Sequence, residues 1–339
     1  MALNYPRLDN ASGVWTLKEV TDAVKGGYWP NAGARGLFGG GYSPDGSTFT
    51  RNIDYVTISS TGDAADFGDL TLDIVNHAGA ASFTRGCFAG GNIPASPYFS
   101  DMIDYVTIVT TGNAADFGDL IKGAHGGAST CSNSVRAINA GGTPATNEID
   151  YWNMASLGNS SDFGDLTLAR WYLNATASPK RALFSGGSSP TIVNTMDYIT
   201  IASTGNAADF GDLTVALSAN MDSGAASSTR GIHAGGDKDG SNFVSNIERV
   251  EMESTGNAID YGDLSAAKYY LAGTDNSVRA IFAGGATPTF INVMEYMNIP
   301  VGGTVVDFGD LTAPTRQTGG LSNCHGGLND GNQGVVDTT

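Results

Sequence analysis

Six times the chain carries Asp-Phe-Gly-Asp-Leu or its tyrosine variant, starting at Asp66, Asp116, Asp162, Asp209, Asp260 and Asp307. Met singly, Asp-Phe-Gly suggests the magnesium turn of a phosphotransferase. Six copies in β-rich surroundings, without a Gly-rich phosphate loop, a strand lysine or a catalytic loop, exclude that chemistry. The four histidines, His77, His125, His233 and His325, show no His-Glu-x-x-His or other paired spacing for a metal. Cys87, Cys131 and Cys324 are odd in number and unrelated in spacing, so they predict buried thiols rather than a disulfide framework or metal knuckle. Asp237-Lys-Asp239-Gly-Ser241 starts like a calcium loop but lacks the closing glutamate, and reads as a surface turn. No catalytic group, metal or cofactor is assigned, and the chain is read as non-enzymatic.

The elements that carry these residues repeat. Arg-x-x-Phe-x-Gly-Gly, or a close variant, begins at Arg35, Arg85, Arg136, Arg181, Arg230 and Arg279, and the closing pentapeptides follow at steps of 50, 46, 47, 51 and 47 residues. A period near 50 with a double glycine is the mark of a propeller blade of the kelch type. The fold class is therefore all-β: six blades of about four antiparallel strands, since blades bury their faces only against one another. The arginine segment is the second strand of a blade. Ile-Asp-Tyr-Val-Thr-Ile, β-branched and aromatic, is the third. Ser-Thr-Gly-Asn is a hairpin turn and Asp-Phe-Gly-Asp-Leu the outer strand. The small residues before each arginine form the inner strand of the next blade. Residues 312–327 resemble the start of a seventh copy and are expected to complete blade one, leaving no open sheet edge.

Comparison among the copies separates scaffold from variable parts. The third-strand acids Asp54, Asp104, Asp150, Asp197, Glu248 and Glu295 each precede the outer-strand aspartate by 12 residues. From each arginine to that acid the spacing instead runs 19, 19, 14, 16, 18 and 16. Length variation thus concentrates in the loops between strands two and three, on the face of the blade-to-blade connections, where binding on a rigid scaffold usually resides. Those loops carry Tyr42 with Asp45, Tyr98 with Phe99, Lys238 and Asp239 with Phe243, and Phe290. The six arginines are expected to form bidentate pairs with the repeated acids; a ring of anion-binding arginines is the alternative.

Thirty-four acids against 17 bases give a net charge of −17, which disfavours nucleic acid and anionic membranes. No apolar run has the ~18 residues a membrane helix needs, and Met1-Ala-Leu-Asn-Tyr-Pro-Arg lacks the charged-then-apolar order of a signal peptide. Residues 1–27 form an extension in which Leu17, Val20 and Val24 fall at helical spacing; with Trp15 and Trp29 it reads as a packing clip or an attachment segment. Residues 28–327 are the propeller and 328–339 a Gly-, Asn- and Asp-rich loose tail. Propeller glycosidases cluster carboxylates beside the channel, whereas the repeated acids here fall on outer strands. Kelch-type copper oxidases need a Tyr, Cys and His constellation that isolated cysteines do not supply.

With its Gly-Asn-Ala-Ala-Asp-Phe-Gly-Asp-Leu endings and its Gly13-Val-Trp15 … Trp29-Pro30 lead-in, the repeat resembles kelch-like propeller proteins of tailed phages, notably of marine and cyanobacterial hosts. The likeness runs from residue 13 to about 327. It departs from the kelch pattern at the outer strand, where Phe67, Phe117, Phe163, Phe210, Tyr261 and Phe308 stand in place of tryptophan. The resemblance implies a virion structural protein of tail or capsid, made in the host cytoplasm and released by lysis. It would contact other virion proteins, join an oligomer within the particle, and meet a host-surface glycan or protein. A carbohydrate-binding receptor module using the loop aromatics, and a propeller hydrolase, are the other classes.

Overall fold

A computed structural model of the chain describes residues 34–121, 126–218 and 223–324. Six four-stranded antiparallel sheets make a six-bladed β-propeller, with no helix among the described residues. Blade two shows the plan: Ala78–Ala81 lies innermost, followed outward by Arg85–Ala89, Met102–Thr107 and Ala115–Asp119. In blade one the inner strand is Gly319–Ser322, hydrogen-bonded to Arg35–Tyr42, so the end of the chain closes the ring as the repeat predicts. The helix expected in the amino-terminal segment, Trp15 and Trp29, and the tail 328–339 lie outside the described residues.

The core is divided among the seams. Ala80, Cys87, Ile103 and Phe117 of blade two, for instance, pack with Ala137, Trp152 and Met154 of blade three. Burial thus couples neighbours in the manner of a repeat protein. In each blade the register slips between the third and outer strands, as at Ile53/Asp54 and Ile103/Asp104, so the outer-strand aromatic is the extra residue of a bulge. Phe67, Phe117, Phe163, Phe210 and Phe308 are thereby turned into the seam core, each 2–3% exposed.

The fixed spacing after the third-strand acid has a cause at the rim. The hairpin glycine of each blade donates its N–H to the outer-strand aromatic carbonyl of the blade before: Gly112 to Phe67 (2.8 Å), Gly158 to Phe117 (2.9 Å), Gly205 to Phe163 (2.8 Å) and, across the closure, Gly62 to Phe308 (2.7 Å). The glycine after each aromatic lets this clasp close. A Cβ on Gly164 would stand 2.5 Å from the Gly205 carbonyl oxygen, and its φ of +147° suits no other residue.

At the axis the inner strands meet backbone to backbone. A Cβ on Gly79 would stand 2.2 Å from the Gly320 oxygen, and one on Gly320 would stand 2.2 Å from the Gly273 oxygen. Only about 20 Å3 remains between these strands, room for roughly one water.

Candidate functional site at the seam of the first and last blades

The repeated arginines make a different set of contacts from the expected carboxylate pairs. Arg35, Arg85, Arg136, Arg181 and Arg279 lay their guanidinium groups over the third-strand rings of Tyr55, Tyr105, Tyr151, Tyr198 and Tyr296, at 4.7–5.1 Å. Each also donates Nη1 to a carbonyl of the next blade, as Arg85 does to Met154 and Arg181 to Met252, both at 3.0 Å. In blade five the third-strand tyrosine is replaced by Arg249, and the ring within reach is outer-strand Tyr261. Arg230 follows it, donating to the Tyr261 hydroxyl at 2.9 Å and lying 3.5 Å from Glu251. No repeat arginine is paired with Asp54, Asp104, Asp150, Asp197, Glu248 or Glu295. Planar guanidinium stacks on a ring and still spares a donor for a carbonyl, and a buried carboxylate on the far side of the strand cannot compete for it.

Those acids are buried, 0–7% exposed, and face the preceding blade. The hydroxyl that follows its outer-strand leucine donates to each: Thr312 to Asp54 and Thr71 to Asp104 at 2.8 Å, Thr167 to Asp197 at 2.6 Å, and likewise Thr214 to Glu248 and Ser265 to Glu295. Blade two has Ile121 at this position, and Ser160, where other copies have Ala or Val, supplies a hydroxyl to Asp150 at 3.1 Å. Burial raises the Asp54, Asp104 and Glu248 carboxyls above their ordinary range against the pull of these donors.

The loops between strands two and three do share a face with the connections entering the inner strands. Bridges Val75–Asn92, Gly126–Thr143, Trp171–Ser188, Ser218–Asp237, Tyr269–Ala286 and Tyr42–Arg316 join the two sets. Beneath them a belt of backbone bonds caps the axis. Asn76 N–H donates to Gln317, Gly127 to Asn76, Tyr172 to Gly127 and Gln317 to Tyr270, at 2.8–3.2 Å, all five residues being left-handed.

On this face an aromatic cluster forms around one cation. Arg316 lies 4.5 Å from the ring of Phe290, 5.2 Å from Tyr42, 5.5 Å from Tyr270 and 6.0 Å from Tyr269, and donates Nη1 to the Tyr269 hydroxyl at 3.3 Å. Phe243 stacks on Tyr269 at 3.8 Å, and Tyr42 meets Phe49 edge-on at 4.9 Å. Among the described residues no ion pair involves Arg316, and its Nε is buried without a hydrogen-bond partner. Several rings around a guanidinium that has no ion pair among the described residues form a surface suited to a planar or acidic group.

Of the loop residues read as candidates, Tyr42, Phe243 and Phe290 belong to this cluster. Tyr98 and Phe99 sit on the blade-two loop, Tyr98 being 61% exposed at a φ of +69°. Asp45 and Asp239 cap their own turns. Asp45 accepts from the Ser43 and Thr48 hydroxyls and the Ser47 and Thr48 N–H groups, and Asp239 from Ser241 and Asn242. These bonds hold both carboxyls below the usual range. Lys238 is exposed next to Asp239. Arg316, Tyr269 and Tyr270 escaped the sequence reading. Their signal was positional: Tyr269-Tyr270, Trp171-Tyr172 and Arg316-Gln317 occupy the same two places before an inner strand.

Beside Tyr42 of the cluster, between the end of blade six and blade one, lies a cavity of about 180 Å3. Phe38, Gly40, Tyr42, Asn52, Asp54 and Thr315 are among its walls, and exposed Pro44, Thr312 and Ala313 stand at its mouth. No protein-family model matches the chain, and no curated protein matches it either.

Proposed function

We propose that the chain is a non-enzymatic virion component of a tailed phage. In this reading its propeller docks to another particle protein, and engages the host surface, through the face of the strand two-to-three loops. The observation that supports this most is the Tyr42–Phe290–Tyr269 cluster around Arg316, set on a ring whose rim clasps, seams and axis are all engaged in holding the blades together. Aromatic and arginine side chains in a half-buried patch are what protein interfaces are enriched in. The phage assignment itself comes from the repeat's resemblance. A photo-crosslinker placed at Phe290 in the assembled particle tests the reading. Capture of another virion protein is the expected result, and a particle lacking this chain, or one in which the crosslinker meets only solvent, defeats it.

A second reading is carbohydrate binding, favoured by the outward Tyr98 ring. Exposed aromatic faces stack on sugar rings, and Arg316 would add recognition of an acidic sugar. Glycan-array binding abolished by Tyr98→Ala or Phe290→Ala would establish it. Binding by neither variant nor parent would remove it.

A further inference from the structure

The blade-six to blade-one cavity has counterparts in which the chain shows its own solution to the same space. Leu166-Thr167-Leu168-Ala169-Arg170, Leu264-Ser265-Ala266-Ala267-Lys268 and Leu311-Thr312-Ala313-Pro314-Thr315 are equivalent segments, each followed by a left-handed residue two places on: Tyr172, Tyr270 and Gln317. In the first, Arg170 is fully buried. Its Nη2 donates to Asp197 Oδ2 at 2.8 Å, and its Nη1 donates to the carbonyls of Gly186 and Thr195, both at 2.8 Å. In the second, Lys268 Nζ lies 2.7 Å from Glu295 Oε2, both side chains under 5% exposed. In the third the place is held by Thr315, whose hydroxyl turns away to the carbonyl of Tyr42 at 2.9 Å. The equivalents of Gly186, Thr195 and Asp197 are Gly40, Asn52 and Asp54, and all three line the cavity. At two other described seams the position holds buried Ile74 and Leu217, which fill it with hydrocarbon.

We propose that this cavity is a receptor for a basic side chain, an arginine of a partner polypeptide, inserted where Arg170 sits three blades away. The inference rests on the docking role above and names the chemistry of the partner. An anionic, acceptor-lined pocket in an acidic chain attracts a cation before contact. Its volume exceeds the ~150 Å3 of an apolar cavity that admits benzene, so a guanidinium with its propyl stem fits. No basic residue lines it. Tyr42 forms one wall, and its ring already carries Arg316 at 5.2 Å, so an entering arginine would bring a second cation to the same ring.

The test uses the full chain and acetyl-Gly-Arg-Gly-amide as probe, with acetyl-Gly-Gln-Gly-amide as its uncharged control, read by calorimetry and amide chemical shifts. The arginine peptide is expected to bind at least about tenfold more tightly than the glutamine peptide, the factor one charge-assisted hydrogen bond supplies. Thr315→Arg, which copies Arg170, is expected to abolish binding by filling the pocket, and Thr315→Lys, which copies Lys268, does the same if the arginine variant fails to fold. Asp54→Asn is expected to weaken binding about tenfold. Binding that survives in the Thr315 variants overturns the assignment, as does equal binding of the two peptides. Preference for glucosamine over the arginine peptide overturns the partner's class in favour of an amino sugar. If wild type refuses the probe but a full chain with Arg7→Gln, Lys18→Gln and Lys25→Gln accepts it, the occupant is the chain's own amino-terminal segment and the partner proposal fails. None of these outcomes depends on whether the crosslinker at Phe290 finds a neighbour, so the docking role and the identity of its cation stand or fall separately.

Discussion

The guanidinium of Arg181 lies over the ring of Tyr198 at 4.7 Å while its Nη1 reaches 3.0 Å to the carbonyl of Met252 in the next blade. One side chain thus fixes a strand to its neighbour within a blade and the blade to its successor. The arrangement needs a flat cation with more than one donor, which explains why arginine and not lysine stands there in every copy.

Arg181→Lys is therefore expected to destabilise the propeller although charge is kept. Loss of a stacked contact and a charged hydrogen bond on a half-buried group costs about 1–2 kcal/mol. Urea unfolding with an unchanged slope and a lower midpoint would show it. A lysine variant as stable as the parent would mean that the stack and the carbonyl bond contribute nothing net.

Much of this was visible in the amino acids alone. The period, the double glycines and the partial seventh copy specify six sheets and their closure, because a propeller repeats its hydrophobic and turn chemistry at every blade. The partners of Arg85 or Arg181 were not visible. They are a tyrosine ring on the adjacent strand, two residues from the arginine's register partner, and a backbone carbonyl, and a carbonyl has no sequence signature. The recurring acids looked like the natural partners, yet their hydroxyl donors Thr71, Thr167 and Thr312 belong to the preceding repeat. The seam cluster was missed for the opposite reason. Comparison of copies draws attention to what recurs, whereas Arg316, Tyr269 and Trp171 occupy one position at which the copies differ.

Gly164 and Gly205 separate two costs of the rim clasp. Both have φ near +150°, but a Cβ on Gly164 meets the Gly205 carbonyl while one on Gly205 meets nothing within 4 Å. Each alanine variant bears backbone strain of about 1–3 kcal/mol. Gly164→Ala must in addition open the clasp. Its thermal midpoint is expected to fall well below that of Gly205→Ala; equal midpoints would show that the clasp is not under steric control.

Asp275 gives the fold a pH dependence of definite sign. Its carboxyl is buried by the axis, accepts an N–H from Ala226 at 2.8 Å, and is pushed up from 3.8 to about 8 by desolvation. The unfolded chain loses that proton near pH 4. Between roughly pH 4 and 8 the folded state thus holds the extra proton, and this group's contribution to stability falls as pH rises. Asp275→Asn removes the dependence. Calorimetry should find the variant gaining on the parent from pH 5 to pH 8, and a constant difference across that range would contradict the buried neutral carboxyl.

Arg170 bears on both the scaffold and the pocket beside Asp54. Removing one partner of a buried pair costs about 3–5 kcal/mol, because the other charge is left without compensation. Arg170→Ala would strand Asp197 together with the carbonyls of Gly186 and Thr195, and this is expected to be among the most damaging single changes in the ring. Asp197→Leu should cost a similar amount, and the double variant less than the two combined, since no lone charge remains. A cycle measured by denaturant unfolding should give a coupling above about 1 kcal/mol. Thr315 makes the comparison informative: the same backbone position without a cation leaves Asp54 stable on Thr312 and Asn52 alone. A coupling near zero at Arg170 would mean that such acids need no cation, and an arginine entering beside Asp54 would then gain little from its charge.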